Sequence, residues 1–489
     1  MNITELSIAE LREKIQKREI SAVQITEAFL NKLKELNPKL NAFITINEDS
    51  IEDAVKIDKR ISNGENVGPL VGMPIAIKDM LCTKGIKTTA ASKMLNNFIP
   101  PYDSTVVAKL KKAGGIVIGK TNLDEFAMGS SNETSYYGSV KNPWNLECVP
   151  GGSSGGSAAA QAARLSVASI GTDTGGSIRQ PASFCNIVGI KPTYGRVSRY
   201  GIVAYASSLD QAGPMTTTVA DAAEILEVIS GHDQNDSTTS TRIVPKFTKS
   251  LQTNLKGFKI GIIREYDTDA VSADVKTAVQ NSIEASKSLG AEIVEIKIPL
   301  TQYAVPIYYL VAASEASSNL ARYDGVRFGH RSNFQNLSGV ELDKFFSQNR
   351  GEGFGEEVQR RIMIGTYALS SGYYDAYYNK AGQVRRLLTE QFLEAFKKCD
   401  VILSPVSTTP AFKIGERIDD PLSMYLNDIF TTSTNLAGLP GLSVPFSFSK
   451  QGLPIGIQLT ASHFNEEKLF SVASVLESVA NISKRRPNV

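Results

Sequence analysis

Short apolar runs rich in Ile and Val recur along the chain, at residues 71–77, 116–118, 167–170, 260–263, 293–298 and 401–403. Each is too short for a helix, and most are apolar at nearly every position, not at alternate ones. Such a strand must be covered on both faces, the pattern of a sheet held between helices. The intervals supply those helices: residues 105–112, 219–229, 273–289 and 374–397 carry apolar side chains at helical spacing. The alternation predicts an α/β protein with a mostly parallel sheet and helices on both faces.

The first sixty residues read as helical. Ser21 and Gln24 form a capping box ahead of Val23, Ile25, Ala28, Phe29, Leu33 and Leu36, which share one helical face. Ser50 with Asp53 predicts a second helix start, and Gly64 its end. The polar stretch 233–241 reads as a loop, and no repeat or low-complexity linker divides the chain. With 42% hydrophobic residues in 489, a large core is available. Lys and Arg number 52 against 50 Asp and Glu, a net charge of +2, so no bulk field draws in nucleic acid or an anionic membrane. Cys82, Cys148, Cys185 and Cys399 have neither zinc-ligand nor redox-motif spacing. No apolar run approaches the ~18 residues of a membrane span, and no targeting pattern is evident, so a cytoplasmic protein is expected.

Chemistry concentrates in two Gly/Ser-rich loops, Pro150-Gly151-Gly152-Ser153-Ser154-Gly155-Gly156-Ser157 and Gly171-Thr172-Asp173-Thr174-Gly175-Gly176-Ser177. Glycine clusters let backbone amides converge on one point. Either loop alone could be an ordinary turn; two in tandem around a strand-like stretch are less ordinary. The first fits G-x-S-x-G, but that nucleophile elbow needs a strand before it and a histidine after it. Only His232, His330 and His463 exist, and each reads as a surface or packing residue. Gly114–Thr121 fits the phosphate-loop pattern G-x-x-x-x-G-K-[ST], which would make the chain a nucleotide-binding module. Its variable positions are Gly-Ile-Val-Ile, whose amides a sheet would consume. Lys78 follows an apolar run and reads first as a strand-end residue reaching solvent. Buried near serines, it would lose charge and become a usable base.

Lys78, the 151–157 loop and Asp173-Thr174-Gly175-Gly176-Ser177-Ile178-Arg179 together resemble the amidase signature family, whose members carry a Ser–cis-Ser–Lys triad on one α/β/α fold. Runs at 124–129, 191–199, 207–211 and 370–378 are similar to the branch of that family that supplies ammonia to tRNA-dependent amidotransferases, and the likeness spans about residues 5–475. The resemblance implies one α/β/α domain over 1–489 with a twisted, mixed sheet: N-terminal helices in 1–64, the signature core in 65–215, and the remaining sheet and helices in 216–489. It implies Ser177 as nucleophile, Ser153 as the bridging serine after a cis peptide, and Lys78 as base, with no role for Ser154. The amides of Thr174, Gly175, Gly176 and Ser177 would form the oxyanion hole. Arg361 would bind the carboxylate of glutamine and Asp428 its ammonium, with Met128 and Tyr308 lining the pocket. Taken alone, Arg361 in an Arg360-Arg361 pair reads as a solvated helix face, and Asp428 as a loop acid. The implied reaction is glutamine hydrolysis feeding transamidation of Glu-tRNA(Gln), with Asp-tRNA(Asn) a second candidate. The implied partners are the B and C subunits of such an amidotransferase, with tRNA, ATP and Mg²⁺ handled mainly by the former, and no metal or cofactor here. The rival reading is a free-standing amidase acting on another carboxamide, which would not need Arg361 and Asp428.

Overall fold

The structure, a computed structural model, describes residues 2–333, 341–417 and 420–489. Among them eleven strands form one sheet: β1 (Phe43–Ile46), β2 (Pro74–Lys78), β3 (Ile116–Thr121), β4 (Ala168–Asp173), β5 (Val188–Lys191), β6 (Gln211–Thr216), β7 (Lys259–Ile263), β8 (Glu292–Ile296), β9 (Val401–Pro405), β10 (Gly441–Phe448) and β11 (Pro454–Ala461). Their order is β1-β3-β2-β4-β6-β5-β10-β11-β9-β7-β8. β2 runs parallel to β3 and β4, and β7 to β8 and β9. The other pairings are antiparallel. The sheet is therefore mixed, which corrects the mostly parallel expectation from the apolar runs. Those runs found only the two parallel patches, β2–β4 and β7–β9. β5, β6, β10 and β11 mix Gly, Pro, Ser, Thr, Lys or Gln among their apolar residues and so present no Ile/Val run, and β1, four residues long, lies within the first sixty residues that read as helical.

β2, β3 and β4 are buried at every position, so both faces of this part of the sheet are covered. Helix Gly155–Ala162 packs on β2, β3, β4 and β6, which fixes the first Gly/Ser loop over the ends of β2 and β4. The predicted helices at 105–112 and 219–229 form with those bounds, and the third runs Ala273–Ser288. The fourth is a π-helical turn, Asp375–Asn379, leading into Lys380–Ala395. Ser21 and Gln24 cap helix Ala22–Leu40 reciprocally as predicted, and Ser7 with Glu10 does the same for Ile8–Gln16. Ser50 differs from expectation: Asp49 holds the cap position, and the Ser50 hydroxyl, inside the first turn, is buried without a partner among the described residues.

Gly114–Thr121 is not a phosphate loop. Its last six residues are β3, laddered to β1 and β2 on either side, so its amides are spent on the sheet. Lys120 is fully buried 3.2 Å from Asp79. No helix among the described residues is long and apolar enough to cross a membrane.

Helices Ala304–Asn319 and Glu356–Leu369 are clamped together at Gly365, where a Cβ would collide with the Ala313 carbonyl and stand 2.9 Å from the Ser314 nitrogen. Backbone cannot step aside, so Gly365→Ala should cost about 1–3 kcal/mol of unfolding free energy through overpacking. Gly382→Ala, in helix Lys380–Ala395 with nothing within 4 Å of the added methyl, should instead stabilise by about 0.5–1 kcal/mol. Denaturant titration of the two variants checks the opposite signs.

Candidate active site

β2 ends on Lys78, whose side chain is fully buried, not the solvent-reaching strand end it resembles when read alone. Its Nζ stands 2.8 Å from Ser153 Oγ, 2.9 Å from Ser154 Oγ and 2.9 Å from Thr172 Oγ1. All three neighbours are hydroxyls. Among the described residues no carboxylate makes an ion pair with it, in contrast to Lys120 one strand away. Burial therefore pulls the Lys78 ammonium down to about 7, against the opposing fields of Asp124, Asp173 and Asp210. A neutral amine has two N–H bonds and one lone pair, so with three hydroxyl neighbours one of them can donate its proton to Nζ.

The Gly152–Ser153 peptide bond is cis. Gly152 has no room for a side chain, since a Cβ would strike the Asp124 carboxylate and lie 2.7 Å from the Ser131 nitrogen. The Ser153 carbonyl accepts from the Asp124 amide at 3.2 Å, and the Ser154 amide donates to the Ser177 carbonyl at 3.1 Å. That last bond joins the two Gly/Ser loops. Ser154, without a role in the sequence reading, is a second partner of Lys78 and also donates to the Thr172 carbonyl at 3.0 Å.

The second loop leaves β4 at Asp173. Its buried carboxylate accepts from the amides of Gly176 (2.9 Å) and Ile178 (3.1 Å), from Arg179 Nε (3.0 Å) and from Asn435 Nδ2 (2.8 Å). Burial alone would raise its pKa, but Arg179 prevails and holds it at about 2. The Gly176 amide is thus engaged by Asp173, whereas the amides of Thr174, Gly175 and Ser177 have no acceptor among the described residues. Gly176 has φ +140°, and a Cβ there would collide with Thr431. Ser177 is 7% exposed while Lys78 and Ser153 are 0%, so of these three it alone is reachable from outside.

Arg360 is exposed, but Arg361 on the same helix turns inward and is buried. Its Nε donates to Glu357 Oε1 at 2.8 Å and its Nη1 to the Tyr205 hydroxyl at 2.6 Å. The rings of Tyr205, Tyr309 and Tyr425 surround it at 5.7, 5.1 and 5.7 Å. Nη2 is left without an acceptor among the described residues. Asp428 is the counterpart. Ser130 donates to its Oδ2, while Oδ1 is buried and unpartnered among the described residues. Burial raises this carboxyl to about 7, with Ser130 and Arg361 acting against the rise. A cavity of about 270 Å³ opens between Arg361, Tyr425, Gly129, Ser130 and Ser131. Tyr308 lies against the second loop, its ring 2.6 Å from where a Gly175 Cβ would be. Met128 is buried in the core, and it is the neighbouring Gly129 that reaches the cavity wall. A larger hollow, about 520 Å³ near Tyr266 and Leu403, touches none of these residues.

The partners of the three histidines lie elsewhere: His232 with Thr239, His330 with Glu352, His463 with the Ala437 carbonyl. No group of three His, Cys, Asp or Glu among the described residues could hold a metal ion. The tyrosine cage of Arg361 and the Ser130 contact to Asp428 were invisible in sequence, because their members come from distant segments with no shared motif.

The Amidase family matches residues 24–470. The A subunit of the glutamyl-tRNA(Gln) amidotransferase from Bdellovibrio bacteriovorus is 65% identical over 489 residues, covering all of both chains. Its counterpart from Geotalea daltonii is 55% identical over 487 residues, 99% of each chain. Among solved structures, the A subunit of the Thermotoga maritima glutamyl-tRNA(Gln) amidotransferase is 43% identical with a TM-score of 0.79, covering 98% of this chain and 95% of that one. The native peptide amidase of Stenotrophomonas maltophilia is 30% identical with a TM-score of 0.82, covering 99% and 98%. With a family match over nearly its whole length and relatives aligned from end to end, this chain belongs to the amidase family.

Proposed function

We propose that the chain is the glutamine-hydrolysing subunit of a glutamyl-tRNA(Gln) amidotransferase, working in the cytoplasm with the B and C subunits. The observation that carries this reading is a fully buried Lys78 bonded to Ser153, in a chain matched throughout by relatives of that name. Glutamine enters with its carboxylate on the free edge of Arg361 and its ammonium on Asp428 Oδ1. Ser177 attacks the side-chain amide carbon; its proton passes to Ser153 as Ser153 gives its own to Lys78. The oxyanion accepts hydrogen bonds from the amides of Thr174, Gly175 and Ser177, and Gly176 supplies the turn that aims them. Each such donor is worth ~10²–10³ in rate. The tetrahedral intermediate collapses as the relay returns a proton to the departing nitrogen, which leaves as ammonia. Water, deprotonated by the same relay, hydrolyses the Ser177 ester and releases glutamate. The ammonia serves transamidation of Glu-tRNA(Gln), with Asp-tRNA(Asn) the second candidate acceptor, at a site where the B subunit uses ATP and Mg²⁺. Arg361 and Asp428 favour this reading over an amidase for unrelated carboxamides, which would not need both charges.

Two groups set the pH dependence, since Lys78 must be neutral and Asp428 ionised, and burial brings both to about 7. Because the base is the deprotonated form and burial places its pKa at about 7, kcat/KM should rise with pH through an apparent pKa near that value. Lys78→Arg keeps the charge but cannot deprotonate, so it should be as inactive as Lys78→Ala across the profile. Near-normal turnover of Lys78→Arg would make the lysine structural.

Ser177→Ala in the assembled complex should lose glutamine-driven transamidation by about 10⁴-fold or more and retain transamidation with added ammonium. A net charge of +2 gives the chain little hold on a polyanion. The isolated chain should therefore bind tRNA weakly and show low glutaminase activity, with activity restored by the B and C subunits. Filter binding across a salt series and ammonia release measure both; tight, salt-resistant tRNA binding by the isolated chain would overturn this division of labour.

A further inference from the structure

One fully buried side chain, Gln180, bridges the two ends of the site, and the mechanism above gives it no task. The Gly152 amide donates to its Oε1 at 3.0 Å, and its Nε2 donates to the Ser130 carbonyl at 2.9 Å. The two partners fix the orientation of the side chain, because an amide N–H needs the oxygen and a carbonyl needs the NH₂. Gln180 is also pressed against Gly151, where a Cβ would collide with Oε1 and stand 2.9 Å from the Pro181 Cα. Beyond Ser130 the connection continues, since the Ser130 hydroxyl donates to Asp428 Oδ2 and leaves Oδ1 free. Ser130 itself lines the cavity beside Arg361. An unbroken hydrogen-bonded path thus runs from the Gly152–Ser153 turn through Gln180 and Ser130 to Asp428.

From this path we infer that Gln180 is a positioning residue that sets the ammonium-binding edge of Asp428 in register with the Ser153 turn, and so selects amides bearing an α-ammonium group. The inference rests on the reading of Asp428 as the ammonium site. Without the Nε2 donor, the Ser130 carbonyl loses its tie to the Gly152–Ser153 turn and the Ser130 hydroxyl its fixed aim at Asp428, while the Asn132 bond to the Gly156 amide at 3.0 Å and the Thr431 bond to the Asp428 carbonyl at 3.1 Å keep the surrounding backbone in place. An amide without the ammonium does not use Asp428, so it is spared that loss.

The test compares glutamine with glutaramate, the same amide without its α-amino group, in the assembled complex. The readout is the ratio of the two kcat/KM values. Gln180→Glu keeps the shape and the acceptor for Gly152 but removes the donor to Ser130; Gln180→Met removes both. Each should lower the ratio about tenfold, the equivalent of ~1.4 kcal/mol, mainly through a higher KM for glutamine. Ser130→Ala should do the same, and the Gln180→Glu/Ser130→Ala double variant should fall no further, because both cut one path. An unchanged ratio in the Gln180 variants, or losses that multiply in the double variant, overturns the inference. Asp428→Asn separates the levels: if it lowers the ratio while the Gln180 variants do not, only the positioning role fails. If Asp428→Asn leaves the ratio unchanged, the ammonium site itself is misassigned and the inference falls with it.

Discussion

An amine enclosed by three hydroxyls, with no counter-ion in contact among the described residues, is the arrangement on which the rest of the site depends. Moving a charged ammonium into such a place is costly, and the group responds by giving up its proton. The enclosure needs β2 to end at Lys78, the Gly152–Ser153–Ser154 turn above it, and Thr172 on the neighbouring β4. Lys120 marks the contrast: it too is fully buried, but Asp79 at 3.2 Å gives it a counter-ion and a structural part. Two lysines on adjacent strands thus take different roles according to whether a carboxylate or a set of hydroxyls receives them.

Three buried carboxylates hold the loops around that amine. Asp124 accepts from the Asn132 amide and from Thr134, Asp173 from the Gly176 and Ile178 amides, and Asp210 from Thr174 and the amides of Tyr205 and Ala206. Each holds a turn in place, Asp173 that of the glycine-rich second loop and Asp124 and Asp210 those at 130–134 and 205–210, by satisfying amides that would otherwise be buried without partners. Asp210 also connects the second Gly/Ser loop to Tyr205, whose hydroxyl holds Arg361. The second Gly/Ser loop and Arg361 are therefore parts of one hydrogen-bonded framework. None of the three carboxylates touches Lys78, so they temper its loss of charge without abolishing it.

What could be read from sequence follows from how local each signal was. The glycine loops and the lysine at the end of an apolar run are contiguous, and their resemblance to a family joined them. The predicted helices at 105–112 and 219–229 rest on periodicity within a single segment and form as read. β6, β10 and β11 were hidden because none presents a continuous apolar run, and only pairing with strands distant in sequence holds them. The cage of Tyr205, Tyr309 and Tyr425 draws on three remote segments, and nothing local marks any of them. Burial itself was the largest gap. The sequence reads Lys78 and Arg361 equally well as solvent-facing residues, and only packing decides otherwise.

The proposed relay needs Lys78 uncharged at neutral pH, and direct titration of that side chain tests this most plainly. With lysine labelled at the Cε carbon, the Lys78 resonance can be assigned by its absence in Lys78→Arg and followed with pH in the Ser177→Ala protein, where no turnover intervenes. The account predicts a midpoint at about 7. A midpoint at the ordinary lysine value of about 10.5 would leave the amine charged at neutral pH and contradict its role as base.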